Sequence, residues 1–385
     1  MILCTRRLPP VPAPPVARAA LLFAMLASGG CSPTGPPQFA LNLEGRDPQT
    51  VARAQAEAIA ETLIKLFGTP NHPKVPDGAD LDLNRLELAA GPVYGDEDGT
   101  QHGLFRRHCA RCHGVSGSGA GPAAAMLSPY PRDFRRGWFK YTSTTGGAKP
   151  IDADLERTLR AGVPGTAMPS FAMLPERQID ALLEYVKYLS IRGETELFLF
   201  GLVVDEDEYL PLDMDVVMED GVAPVTEMWK EAPETAISEK EALGHAPPVE
   251  RPELLAASVA KGRELYVRKE SQCVKCHGPE GDGEGEEPEL YDEWNKPKKG
   301  VTPEQTAEVA WLFRLPHQEL RPRNFREGTF RGGSRPVDVY WRIHVGIKGT
   351  AMPAAGPAPG AKGILTPEEI WHVVNYVRRL AEEGE

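Results

Sequence analysis

Positive charge is scarce in this chain. Its 385 residues carry 43 Lys and Arg against 55 Asp and Glu, a formal net charge of -12 at pH 7. That balance excludes nucleic acid as a partner, because phosphate contacts need a clustered basic face. Two readings of the acidity remain: solubility, and docking onto a basic partner surface, where complementary charge speeds encounter. Period-2 hydrophobic alternation is scarce too, which excludes a strand-rich fold. After residue 27 no apolar run is long enough to span a bilayer, and the best, LFLFGLVV at 197–204, has about half the length. Proline and glycine are plentiful, at 37 and 38 residues. With a length of about two domains, this predicts helices packed inside long irregular connections, an all-α chain.

The N-terminus has the layout of an export signal. Arg6, Arg7 and Arg18 precede a short apolar core at 19–27, and SGGC then ends at Cys31. SGGC resembles a bacterial lipoprotein cleavage site with Cys31 as the lipidated residue, although Ser28 stands where such sites usually carry Leu. Ordinary cleavage near Gly30 and an uncleaved anchor are the alternatives.

Of six cysteines, Cys4 and Cys31 belong to that signal region. The other four form two copies of one pattern, Cys109-Ala-Arg-Cys112-His113 and Cys273-Val-Lys-Cys276-His277. C-x-x-C-H is the attachment signature of c-type haem: two thiols add to the porphyrin vinyl groups, and the histidine ligates the iron. Covalent attachment outside the cytoplasm agrees with an export signal. A thioredoxin-like motif needs a strand-to-helix setting that neither copy has. A shared zinc site or a structural disulfide leaves the histidine after each pair unexplained.

The duplication extends further. Each C-x-x-C-H is followed by a glycine-rich run, GVSGSGAGP at 114–122 and GPEGDGEGEEP at 278–288. No GK[ST] follows either, so neither is a phosphate loop. Next come RDF at Arg132 and RNF at Arg323, then GVPGTAMP with Met168 and GIKGTAMP with Met352. Each unit ends in a predicted helix. Ile179, Leu182, Leu183, Val186 and Leu189 form one stripe, and Ile370, Val373, Val374, Val377 and Leu380 the other. Thr366 and Glu369 make a capping box before the second. Motif order is kept while spacing changes: the second unit has about 27 extra residues between C-x-x-C-H and RNF, with a helix expected at 303–313.

N-terminal helix, C-x-x-C-H, loop and a methionine shortly before the last helix: this order resembles the class I cytochrome c fold, present twice, over about 98–192 and 255–383. The chain is similar to bacterial dihaem cytochromes that act in electron transfer. The resemblance implies two covalently attached haem c groups, each with histidine and methionine as axial ligands. Thioether sulfur suits haem iron and raises its potential relative to a second histidine. Met352 is the only methionine after the second motif, and Met168 aligns with it in an identical pentapeptide. Met126 and Met173 are expected to be core filler instead. Arg132 and Arg323 have two readings, pairing with haem carboxylates or a surface turn. Trp138, Tyr141, Tyr340 and Trp341 are read as haem-edge residues or as plain core. His108 and His344 are expected to have roles other than ligation.

These readings divide the chain into a signal at 1–31, a tether and helical extension at 32–97, a first cytochrome domain at 98–192, an acidic linker at 193–254 and a second domain at 255–385. Within the linker, 205–241 holds thirteen Asp and Glu against Lys230 and Lys240. A solvated segment is the default there, and its LVV, LPLDMDVVM and Trp229 point to packing across both domains. The function expected is electron relay at the periplasmic face of a bacterial membrane, lipid-anchored, with no catalytic residue. The donor would be a membrane quinol oxidoreductase and the acceptor a terminal oxidase or soluble cytochrome. The rivals are a dihaem enzyme, peroxidase-like or thiosulfate dehydrogenase-like, and an obligate subunit of a membrane oxidoreductase complex.

Overall fold

A computed structural model describes residues 37–205, 211–287, 290–297 and 314–384. The signal region with Cys31 and the helix expected at 303–313 lie outside the described residues. Strands among the described residues amount to two-residue antiparallel pairs, Tyr94–Gly95 with Gln101–His102 and Leu290–Tyr291 with Glu319–Leu320. The fold is otherwise helical.

In the extension, α1 (Arg53–Phe67) turns Ile59, Leu63 and Phe67 inward. A short helix, α2 (Leu83–Ala89), follows; the Asp82 carboxylate starts it by accepting from the Asn84 and Arg85 N–H groups. The first unit follows with α3 (Leu104–His108), α4 (Ala110–His113), α5 (Asp152–Ala161) and α6 (Glu176–Phe200). Ile179, Leu182, Leu183 and Leu189 of α6 are buried as their spacing predicts, and Val186 is half-buried. The helix runs eight residues beyond the domain boundary expected at 192, because Leu199 and Phe200 continue its buried face.

The acidic segment is no free linker. It turns through π-helical stretches at Gly201–Asp205 and Val217–Val222, then forms α7 (Ala223–Glu231) and α8 (Glu239–Gly244). Val217 and Val222 are buried in the first core, each worth about 1.5–3 kcal/mol of apolar transfer. Ile237 and Ala242 are buried in the second core, and their carbonyls accept from the indoles of Trp341 and Trp371 at 2.9 and 2.7 Å. The apolar residues set among the acids therefore strap the two units together.

The second unit comprises α9 (Pro252–Val267), α10 (Cys273–His277), α11 (Pro336–Val345) and α12 (Pro367–Gly384). The capping box of α12 is formed: Thr366 Oγ1 accepts from Glu369 N at 3.2 Å, and Glu369 Oε2 from Thr366 N at 2.9 Å. Close helix crossing needs Gly262, where a Cβ would lie 1.9 Å from the His372 carbonyl oxygen.

The two units meet through like surfaces. A Cβ on Gly349, in the second GTAMP loop, would lie 3.0 Å from Arg132 Nη1 and 3.4 Å from the Trp138 ring. Conversely, a Cβ on Gly165, in the first loop, would lie 3.1 Å from Thr329 and 3.6 Å from Arg323 Nη1. Each methionine loop thus packs on the other unit's R-x-F loop, an isologous contact within one chain. Around it, the Arg342 guanidinium lies over the Tyr141 ring at 5.7 Å and that of Arg157 over Trp341 at 4.6 Å. Among the described residues, no helix is long and apolar enough to cross a membrane.

Candidate functional site

Cys109, Cys112 and His113 come off one short helical turn, and so do Cys273, Cys276 and His277. The turn is braced by the glycine run behind it. Gly119 N donates to the His113 carbonyl at 2.9 Å, and Gly283 N to that of His277 at 3.0 Å. Gly119 adopts φ +72° and Gly283 φ +82°, and a Cβ on either would run into the carbonyl of Pro131 or Pro322, at 2.4 and 2.7 Å. Only glycine meets both demands.

Each imidazole is oriented from the R-x-F loop. His113 Nδ1 lies 2.9 Å from the Arg132 carbonyl oxygen, and His277 Nδ1 lies 3.1 Å from that of Arg323. A carbonyl only accepts, so Nδ1 carries the proton and Nε2 presents its lone pair. Phe134 and Phe325 stack on the two imidazoles with ring centroids 4.5 Å apart. Burial pushes the His113 pKa down to about 4 and lowers that of His277. Both rings are therefore neutral at pH 7, the form that binds a metal.

The GTAMP loops are built alike. Thr166 Oγ1 accepts from Met168 N at 3.2 Å and donates to the Val163 carbonyl at 2.7 Å; Thr350 does the same with Met352 and Ile347 at the same distances. The Met168 and Met352 carbonyls close each loop by accepting from Val163 N and Ile347 N, both at 3.1 Å. The pentapeptide is thus a hydrogen-bonded turn that fixes where the methionine sits.

In the first unit these parts surround one cavity of about 200 Å³. Cys109, Cys112, His113 and Met168 line it, between apolar walls that include Phe105, Leu159 and Leu182. Arg132, Lys140 and Tyr141 add a polar end. The Arg132 side chain is 11% exposed, and its Nη2 makes no hydrogen bond, the Asp292 carboxylate lying 3.8 Å away. Two thiols, an imidazole, a thioether, apolar walls and a largely covered guanidinium with hydrogen-bonding capacity to spare fit a flat apolar macrocycle bearing carboxylates. The donor set therefore suits haem. Burial also raises the Cys109 thiol to about 12 and the Cys273 thiol to about 11, so both stay protonated at pH 7.

Several expectations need amending. Met126, at the end of a 3-10 turn (Ala124–Met126), and Met173 are 78% and 95% exposed, so they are not core filler. Arg132 lies inside the cavity, whereas Arg323 reaches outward to Glu327 Oε2 at 3.3 Å. Tyr141 lines the cavity, while Tyr340 and Trp341 belong to the second core and Trp138 packs against Gly349. His108 also lines the cavity, edge-on to Phe171. His344 has both ring nitrogens engaged, by the Tyr340 hydroxyl and the Pro357 carbonyl, each at 2.9 Å. The Arg132 and Arg323 carbonyls, the loop threonines and Lys140 are functional parts that the motif reading missed. A threonine two residues before each methionine was the one available clue.

Among the described residues, no three His, Cys, Asp or Glu side chains converge on a possible metal site, so the two C-x-x-C pairs do not share one. Residues 99–186 match the family described as cytochrome C oxidase, cbb3-type, subunit III, and residues 259–381 match the family described as cytochrome c. No curated protein matches the chain. Among solved structures, it is similar to the "Kuenenia stuttgartiensis reducing HAO-like protein complex Kustc0457/Kustc0458". Identity there is 24%, over 74% of this chain and 97% of that one, with a TM-score of 0.49. Two tandem cytochrome c domains, each with the same histidine turn and methionine loop, make this chain a dihaem c-type cytochrome.

Proposed function

We propose that the chain carries two covalently attached haem c groups and relays electrons at the periplasmic face of a bacterial membrane. Cys109, Cys112, His113 and Met168 would hold one group, and Cys273, Cys276, His277 and Met352 the other. The carrying observation is that both sites orient the histidine through an R-x-F carbonyl and fix the methionine through a threonine-bridged turn. The bound haem supplies one-electron oxidation and reduction. The protein's part is to hold both ligands still and keep water away from the buried face, so that little rearranges on electron transfer. With a histidine and a methionine both committed to each group, neither site would keep a position open for substrate, which favours relay over the peroxidase-like and dehydrogenase-like alternatives.

Cys31 is the proposed lipid attachment. A membrane quinol oxidoreductase is the proposed donor, and a terminal oxidase or soluble cytochrome the acceptor. Anchoring also suits an obligate subunit of a membrane complex, which co-purification would reveal. Expression with c-type haem maturation, followed by intact mass and fractionation, tests the reading. Two haems per chain, membrane association lost in Cys31→Ser and no peroxide turnover are the expected results. Turnover of peroxide by pure protein would overturn the relay assignment.

A further inference from the structure

The contact between the two units is symmetric in its loops and asymmetric in its charges. Arg132 and Arg323 correspond, as do Lys140 and Arg331, by their places in the two R-x-F loops. Arg323 takes Glu327 of its own unit, a carboxylate whose side chain is 58% exposed. Arg132 instead faces Asp292, from the extra residues of the second unit. Asp292 Oδ1 lies 2.8 Å from Lys140 Nζ and 3.8 Å from Arg132 Nη2, and its side chain is only 6% exposed.

Asp292 is held in place by its neighbours. Glu293 N donates to the Gly349 carbonyl at 3.0 Å, and Asn295 N to the Asp292 carbonyl at 2.9 Å. Trp294 packs with Ala124 and Tyr130 of the first unit. Gln318 bridges back as well, accepting from Tyr130 N at 3.1 Å and donating to the Leu127 carbonyl at 2.9 Å. The second unit thus places a buried carboxylate behind the two cations that line the first unit's cavity.

We propose that Asp292 is a cross-domain positioning residue that lowers the reduction potential of the first site. It rests on the reading that haem occupies that cavity. Asp292 does not touch the cavity; it acts through Arg132 and Lys140. A buried negative charge favours the more positive, oxidised form of a nearby redox centre, and burial keeps solvent from screening it. The counterpart Glu327 is exposed and acts far more weakly on the second site. Any lowering of the first site relative to the second favours electron passage from the first unit to the second.

The test is an equilibrium redox titration of the full dihaem chain. Each variant is made in the natural background and with Met352→His, which displaces the second unit's wave to low potential and identifies the first. Asp292→Asn should raise the reduced-to-oxidised ratio of the first site about tenfold at fixed potential, ~59 mV for one electron. Lys140→Gln should move it the opposite way, Asp292→Glu should keep the natural value, and the second site should stay put. A purely structural role would not give opposite shifts. If Asp292→Asn and Lys140→Gln leave the first site unmoved, or move it the same way, in chains with two bound haems, the proposal is overturned. A natural chain with fewer than two covalent haems would overturn the cofactor reading itself.

Discussion

Thr166 and Thr350 show how much of each site rests on one hydroxyl. Each ties its methionine N–H to the carbonyl five residues before that methionine, so Thr350→Val leaves the Met352 N–H without its partner. The expected cost is about 1–2 kcal/mol, read in denaturant titration, with partial loss of methionine ligation in the ferric spectrum of the second site. At this scale the cysteines, histidines and methionines were legible, because chemistry fixes their type and spacing. The Arg132 and Arg323 carbonyls were not, because main-chain groups leave no mark on residue type.

Among elements, the terminal helices were the most legible. The apolar stripe of α12 and its capping box are local features, and both are present as written in the sequence. The crossing of α9 over α12 was not legible, since it depends on what lies across from Gly262 rather than on its neighbours in sequence. Gly262→Ala places a methyl against the His372 carbonyl and the Tyr376 side chain. We expect a loss of about 3 kcal/mol or more, with the second unit's Soret spectrum disturbed before the first's. An unchanged unfolding midpoint would mean that the helices do not cross there. The acidic segment misleads in the other direction. Thirteen carboxylates suggest solvent, yet Val217, Val222 and Ile237 are buried, and burial of a few apolar residues outweighs the hydration of the acids around them.

Across the whole molecule, two copies of one domain were evident from motif order, but their embrace was not. The loops that carry Gly165 and Gly349 were read only as ligand loops, and each turns out to pack on the other unit. With the strap through Trp341 and Trp371, the two units should lose their native Soret spectra in one thermal transition. Two well-separated transitions would show that the contact contributes little. The central claim is that each unit is closed by a histidine from C-x-x-C-H and the methionine of GTAMP. Near-infrared magnetic circular dichroism of the ferric full-length chain tests it most directly, with Met168→His and Met352→His as controls. The account predicts two low-spin, histidine–methionine haems of equal intensity, with each substitution converting one half of the signal to bis-histidine. A high-spin or bis-histidine haem in the natural chain would contradict it.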